Sequence, residues 1–321
     1  MAKKRLLITG TIATVLIVTS SWGQRTQAGH ITNPATAHLD GGSRVEFREF
    51  PSDALGETAY YSVFLPPHYD KDPDQLFPVI YTLHGMNNDH TTWTSHRYGN
   101  IPSLVENILR SGDVPPFVMV HPYGENPFYT DYHDGSKKYE EFINQELITE
   151  IENKFRVEID RLNRSIAGTS LGGYGALKIA MKNPALYSSV AVGSPIILMG
   201  EDPSKLISKS SARVARRFGR LFTQVFGTLF DQDHWRENSI EVLANTVDLK
   251  NLGIYFAYGT EDRYQSYFPL EKGIKTVDRI LTERNIPHIM QIYDGEPHGW
   301  MLLSNHMEEI LGFLTQTFTG P

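Results

Sequence analysis

The chain has 321 residues, with 30 Lys and Arg against 37 Asp and Glu and a formal charge of −7. An acidic balance argues against nucleic acid, whose phosphates select basic faces. There is no cysteine, which excludes a disulfide framework and a thiolate metal site, and the length is enough to bury one large core without covalent staples.

Residues 1–28 differ from the rest. Lys3, Lys4 and Arg5 precede the apolar run LLITGTIATVLIVTS, and a polar stretch with small residues, SWGQRTQAGH, follows. A basic start, a short apolar middle and a small-residue exit predict an export signal. The alternative is an uncleaved membrane anchor, although a run of about 15 residues is short of the roughly 20 that a spanning helix needs. Cutting after Ala28 removes the four cations Lys3, Lys4, Arg5 and Arg25 and takes the formal charge from −7 to −11. The expected location is secreted or periplasmic. Residues 29–321 are expected to form a single domain.

In chain order, RVEFREF (44–50) and ETAYYSVFLP (57–66) alternate like an opening pair of strands. LFPVIYTL (76–83) and PFVMVHP (116–122) are continuous apolar runs, as strands covered on both faces require. KKYEEFINQELITEIENKF (137–155) places Phe142, Ile143, Leu147, Ile148, Ile151 and Phe155 at helical spacing. The strand RSIAG, a glycine-rich turn and the helix LGGYGALKIAMKN follow, and then the strand YSSVAVGS. Later come the strand LGIYFAYG, a helix over 267–285, the strand HIMQIYDG and a closing helix over 300–318. Alternation of this kind predicts an α/β fold: a mostly parallel central sheet with helices on both faces, antiparallel only at its start.

Residues 199–250 interrupt the alternation and predict a helical cap over the C-terminal edge of the sheet. Within it, Val214, Phe218, Leu221 and Val225 line one helical face, and Arg213, Arg216, Arg217 and Arg220 share another.

The segment GTSLGG places Ser170 between Gly168 and Gly172, after a strand and before a helix. A G-x-S-x-G pattern in that context reads as a strained turn that lifts a serine hydroxyl above the sheet edge. The helix N-terminus beneath offers free N–H groups and a positive dipole end. A serine hydroxyl needs a base to take its proton. Loops after the later strands offer His298 as the base and Asp262 as its orienting acid, with Glu261 as the alternative acid. His306 competes with His298 but falls within the closing helix, while Asp294 and Glu296 are too local to orient the ring of His298. An oxyanion formed at Ser170 needs two donors. The N–H of Leu171 is the first, and Met86 in the loop HGMNND is chosen as the second. His84 is read as structural support for that loop.

Four segments carry a resemblance: YTLHGMNNDHTTW, RLNRSIAGTSLGGYGALKIAMKNPALYSSVAVGSP, YGTEDRY and GEPHGWMLL. Together they resemble the esterase family of α/β-hydrolases that includes esterase D (S-formylglutathione hydrolase), feruloyl and acetyl-xylan esterase relatives, and the secreted mycolyltransferases. The likeness runs from about residue 45 to 318 in the family's order. It implies an α/β-hydrolase fold, with Ser170 as nucleophile, Asp262 as acid, His298 as base, and Met86 and Leu171 as oxyanion donors. Trp300 matches a substrate-binding aromatic next to the family histidine. The arginine-rich cap helix departs from the family pattern.

The expectation is an exported serine hydrolase that cleaves carboxylic esters through an acyl-enzyme on Ser170, with no metal or organic cofactor. The alternatives are an acyltransferase that uses a sugar or lipid hydroxyl in place of water, and a catalytically silent binding module. The expected partner is a small-molecule or carbohydrate ester. The arginine face adds an anionic substrate or a membrane surface as candidates. Asp70, Asp72 and Asp74 begin like a calcium loop, but Gln75 stands where a glycine is required. His84, His90 and His96 recur at a spacing that does not suit helical metal ligation.

Overall fold

In the computed structural model, the alternating pattern becomes one sheet in the order β1-β2-β3-β5-β4-β6-β7-β8-β9. The structure describes residues 33–94, 100–125, 128–200 and 213–319. The expected export segment, His96 and the first part of the cap insertion lie outside the described residues. Residues 35–321 form one compact unit.

The strands are β1 Ala37–His38, β2 Arg44–Ser52, β3 Glu57–Leu65, β4 Val79–Leu83, β5 Val118–Pro122, β6 Arg164–Thr169, β7 Ser189–Gly193, β8 Gly253–Gly259 and β9 Ile289–Tyr293. The pairs β1–β2, β2–β3 and β3–β5 are antiparallel, and every pair from β5 through β4 and β6 to β9 is parallel. This is the expected α/β sheet with antiparallel strands only at its start. The central strands β4 to β7 are buried along their whole length, which explains their continuous apolar runs.

Successive residues of these strands serve opposite faces. Ile166, Val190 and Val192 join the apolar core on one side, and Ala167 and Ala191 join the core on the other. The first side is covered by α2, which runs from Tyr139–Glu141 through the π-helical turn Phe142–Leu147 to Ile148–Lys154, and by α3, Leu171–Lys182. The second side is covered by α1, Ile101–Ser111, and by the closing helices. The expected closing helix is two helices, α8 Trp300–Asn305 and α9 Met307–Leu314, which meet at His306. The His306 ring stacks on Tyr293 with centroids 3.4 Å apart.

The cap segment contributes α4 Arg213–Phe226, α5 Gln232–Asn238 and α6 Ile240–Thr246, and α7 Leu270–Glu283 follows β8. On α4, Phe218, Phe222, Val225 and Phe226 are buried, while Arg216, Arg217 and Arg220 are exposed. Phe128 anchors the apolar face, touching the rings of Phe218, Phe222 and Phe226. The side chains of Arg213 and Val214 lie outside the described ones.

Strand register decides where function can sit. Leu83 is level with Gly168, Thr169 with Gly193, and Gly259 with Tyr293. The loops that follow β4, β6, β8 and β9 therefore emerge along one edge, where open α/β sheets bind their ligands. The Asp70–Asp74 segment lies at the surface, with Asp70 on the Arg44 guanidinium at 2.6 Å and Asp72 accepting the Asp74 N–H at 2.9 Å.

Candidate active site

Ser170 occupies the turn between β6 and α3 with φ 58 and ψ −123, a conformation that L-residues rarely adopt. The turn closes only because its neighbours lack side chains. A Cβ on Gly168 would overlap the Gly172 carbonyl, and one on Gly172 would overlap the backbone of Leu83 and His84. The Ser170 N–H donates to Gly193 O at 3.0 Å, which ties the turn to β7. Leu171 opens α3, so its N–H has no intrahelical acceptor.

The loop after β4 crosses directly over this turn. A Cβ on Gly85 would stand 3.1 Å from Ser170 Cβ and 3.7 Å from its Oγ. The loop turns at once, with the Asn88 N–H on Gly85 O at 3.3 Å and Asn87 at φ 72. His84 fixes it from below. Its Nδ1 lies 2.9 Å from Gly85 O, and its Nε2 accepts the Gly124 N–H at 2.9 Å. That pair of contacts is satisfied only by the neutral ring protonated at Nδ1, and burial pushes the His84 imidazole down to about 4. The ring therefore braces the peptide that carries the Met86 N–H.

His298 and Asp262 arrive from the loops after β9 and β8. Nδ1 of His298 lies 2.6 Å from Asp262 Oδ2. Asp262 is buried, and its other oxygen accepts the Tyr264 N–H at 2.9 Å, so both carboxylate oxygens are engaged. Glu261, by contrast, is exposed at the rim. With Nδ1 on Asp262, Nε2 is the ring nitrogen left for the cavity. The Tyr264 ring packs against the imidazole with centroids 4.4 Å apart.

Ser170, Met86, His298 and Trp300 line one cavity of about 580 Å³. Trp300 is buried behind it, edge-on to Trp93 with centroids 4.1 Å apart. Ile196, Phe268 and Tyr264 also line the cavity, as does Arg263 at the mouth. None of these four stands out in the sequence. Tyr264 and Arg263 directly follow Asp262, which is the only hint of their position. His306 is held away by Tyr293 and by Glu296 at 3.5 Å. Among the described residues, no group of three or more His, Cys, Asp or Glu is placed to hold a metal ion.

A family model described as "Putative esterase" matches residues 52–302, which include every residue named above as lining this cavity. The chain belongs to that esterase family. Over 147 residues it is 29% identical to an endo-1,4-beta-xylanase/feruloyl esterase of Xylanibacter ruminicola, covering 43% of this chain and 20% of that protein. Over 172 residues it is 27% identical to an S-formylglutathione hydrolase of Bos taurus, covering 52% of this chain and 53% of that protein. The chain thus spans a fifth and about half of the lengths of these relatives. A solved ferulic acid esterase superposes with a TM-score of 0.69 at 24% identity, over 87% of this chain and 100% of that one. The fold is that of the α/β-hydrolase esterases.

Proposed function

We propose that this chain is a serine hydrolase that cleaves carboxylic esters, with Ser170 as nucleophile, His298 as general base and acid, and Asp262 as its orienting group. The reading rests above all on the 2.6 Å contact of Asp262 with Nδ1 of His298, beside a cavity that Ser170 also lines. Ser170 Oγ attacks the ester carbonyl carbon and its proton passes to His298 Nε2. The N–H groups of Leu171 and Met86 receive the developing oxyanion. As the carbon–oxygen bond to the alcohol breaks, Nε2 returns the proton to the leaving oxygen. Water then gives a proton to Nε2 as it attacks the acyl carbon. When the bond from that carbon to Oγ breaks, Nε2 passes the proton to Oγ, releasing the acid and restoring the Ser170 hydroxyl. Asp262 holds the tautomer and stabilises the imidazolium throughout.

Membership of the esterase family supports ester cleavage. The basic-then-apolar segment at 3–20 supports action outside the cytoplasm. The test is turnover of a short p-nitrophenyl ester. Ser170→Ala lowers it by about 10⁴-fold or more, and a variant that keeps a tenth of the parent rate removes Ser170 from the mechanism.

A further inference from the structure

The cavity mouth carries a charge that ester cleavage itself does not use. Among the described lining residues, Glu261 and Arg263 are the two with permanent charge, and they flank the buried Asp262. The Arg263 guanidinium has no ion pair or hydrogen bond among the described residues. It lies over the face of Tyr264, its Cζ standing 5.1 Å from the ring centroid. Tyr264 in turn lies 4.4 Å from the His298 ring. The guanidinium is thus within about 10 Å of the catalytic imidazole. Its backbone is fixed as well, since Arg263 O accepts the Ser266 hydroxyl at 2.8 Å.

Stacking on an aromatic face orients the guanidinium and lowers the entropy that it loses on binding. The planar fork keeps its N–H donors free, and carboxylate and phosphate match that geometry. His298 delivers its proton to the leaving oxygen, so the loop that carries Tyr264 and Arg263 borders the leaving-group side. Among the described residues that line this cavity, Glu261 is the one carboxylate. It is exposed, so water screens its repulsion.

We propose that Arg263 is a specificity-determining residue that selects esters whose alcohol part carries an anionic group, a carboxylate or phosphate set several bonds from the scissile oxygen. The inference rests on the ester-cleavage reading, and the assay separates the two. The probes are 4-acetoxybenzoate, with its carboxylate on the leaving group, and its neutral methyl ester. Each is measured as kcat/KM for the parent protein, Arg263→Gln, Arg263→Lys, Glu261→Gln and Ser170→Ala.

Loss of one charge-assisted contact at an exposed rim lowers the anionic-to-neutral ratio about 10-fold in Arg263→Gln. The ratio of the two probes is the readout, so a general loss of turnover cancels. An unchanged thermal unfolding midpoint shows that the variant is folded, and Arg263→Lys recovers part of the ratio. Raising the salt narrows the parent's preference. An unchanged ratio in Arg263→Gln overturns the proposal, as does an equal fall in Glu261→Gln. Preference for an anion on the acyl side, read with monomethyl succinate, overturns the leaving-group assignment. Full activity of Ser170→Ala on both probes defeats the Ser170 mechanism instead, and no turnover of either probe by the parent defeats ester cleavage and the proposal with it.

Discussion

The Asp262 carboxylate lies 2.6 Å from Nδ1 of His298, a residue 36 positions further along the chain. Glu261, its immediate neighbour, faces solvent at the cavity rim. The two acids therefore differ in environment although they are adjacent and chemically alike, and on the proposed mechanism they differ in role. Asp262→Asn keeps the shape but presents an amide where the ring needs an acceptor, and it lowers kcat by about 10⁴-fold. Glu261→Gln leaves kcat for a neutral ester within about twofold, as expected for a solvated surface carboxylate. Steady-state kinetics on p-nitrophenyl acetate checks both, and the reverse ranking would move the orienting role to Glu261.

On the proposed mechanism, His84 acts on the reaction through the backbone. Its ring bonds Gly85 O and Gly124 N and braces the loop over Ser170. His84→Ala releases the Met86 N–H from its fixed direction. A misplaced oxyanion donor costs about 10²-fold, so kcat falls by that order while KM changes little. Equal losses in kcat and 1/KM would point to a damaged binding wall instead.

Sequence and structure agree where the local pattern carried the information. The fully buried strands read as continuous apolar runs, and register then delivers Ser170, Asp262 and His298 to one edge because each follows its strand by a few residues. Helix α1 was less legible. It was not among the expected elements, although Asn100 before it, Pro102 in its first turn and the spacing of Ile101, Val105 and Ile108 are sequence signals of a helix; in the fold Asn100 enters in a left-handed conformation and its side chain makes no cap. The break at His306 follows from the stacking of its ring on Tyr293, a partner supplied by the tertiary fold. Ile196 and Phe268 likewise reach the cavity through packing, and nothing in their immediate neighbours marks them, whereas Tyr264 is hinted at by Asp262 two residues before it.

Burial holds three histidines neutral in the folded protein, pushing His84 and His90 to about 4 and His121 to about 3. In the unfolded chain each takes a proton near its ordinary value of about 6.5. Their contribution to stability is therefore complete above that value. It is lost as pH falls toward about 4, because the unfolded state binds protons that the folded state refuses. Urea unfolding followed between pH 7 and pH 4.5 should show the midpoint falling steadily, and a flat midpoint would mean that these rings are charged inside the fold.

Lys178 is a fully buried residue of α3, the helix that follows Ser170. Its Nζ bonds Tyr129 O at 2.8 Å, Thr130 Oγ1 at 3.0 Å and Glu140 at 2.7 Å. Lys178→Met leaves Glu140 largely buried with only Lys182 for a partner, at a cost of about 3 kcal/mol. Adding Glu140→Gln restores part of that loss by removing the stranded charge. Chemical denaturation of the single and double variants checks this, and additive losses would show that the two residues are not coupled.

Gly172 packs against the backbone of Leu83 and His84 with no room for a methyl group. Backbone atoms cannot swing aside as a side chain does, so Gly172→Ala costs more than about 3 kcal/mol. Thermal unfolding should show a drop of many degrees or no folded protein, whereas a wild-type melting curve would mean that helix α3 can shift away from β4.

The central claim is that one hydroxyl, on Ser170, becomes covalently attached during turnover. The most direct measurement is intact-protein mass spectrometry after treatment with a fluorophosphonate, followed by peptide mapping. The account predicts one phosphonyl adduct per chain, located on Ser170, absent in Ser170→Ala and formed far more slowly in His298→Ala. An adduct on another residue, or undiminished labelling of Ser170→Ala, would contradict it.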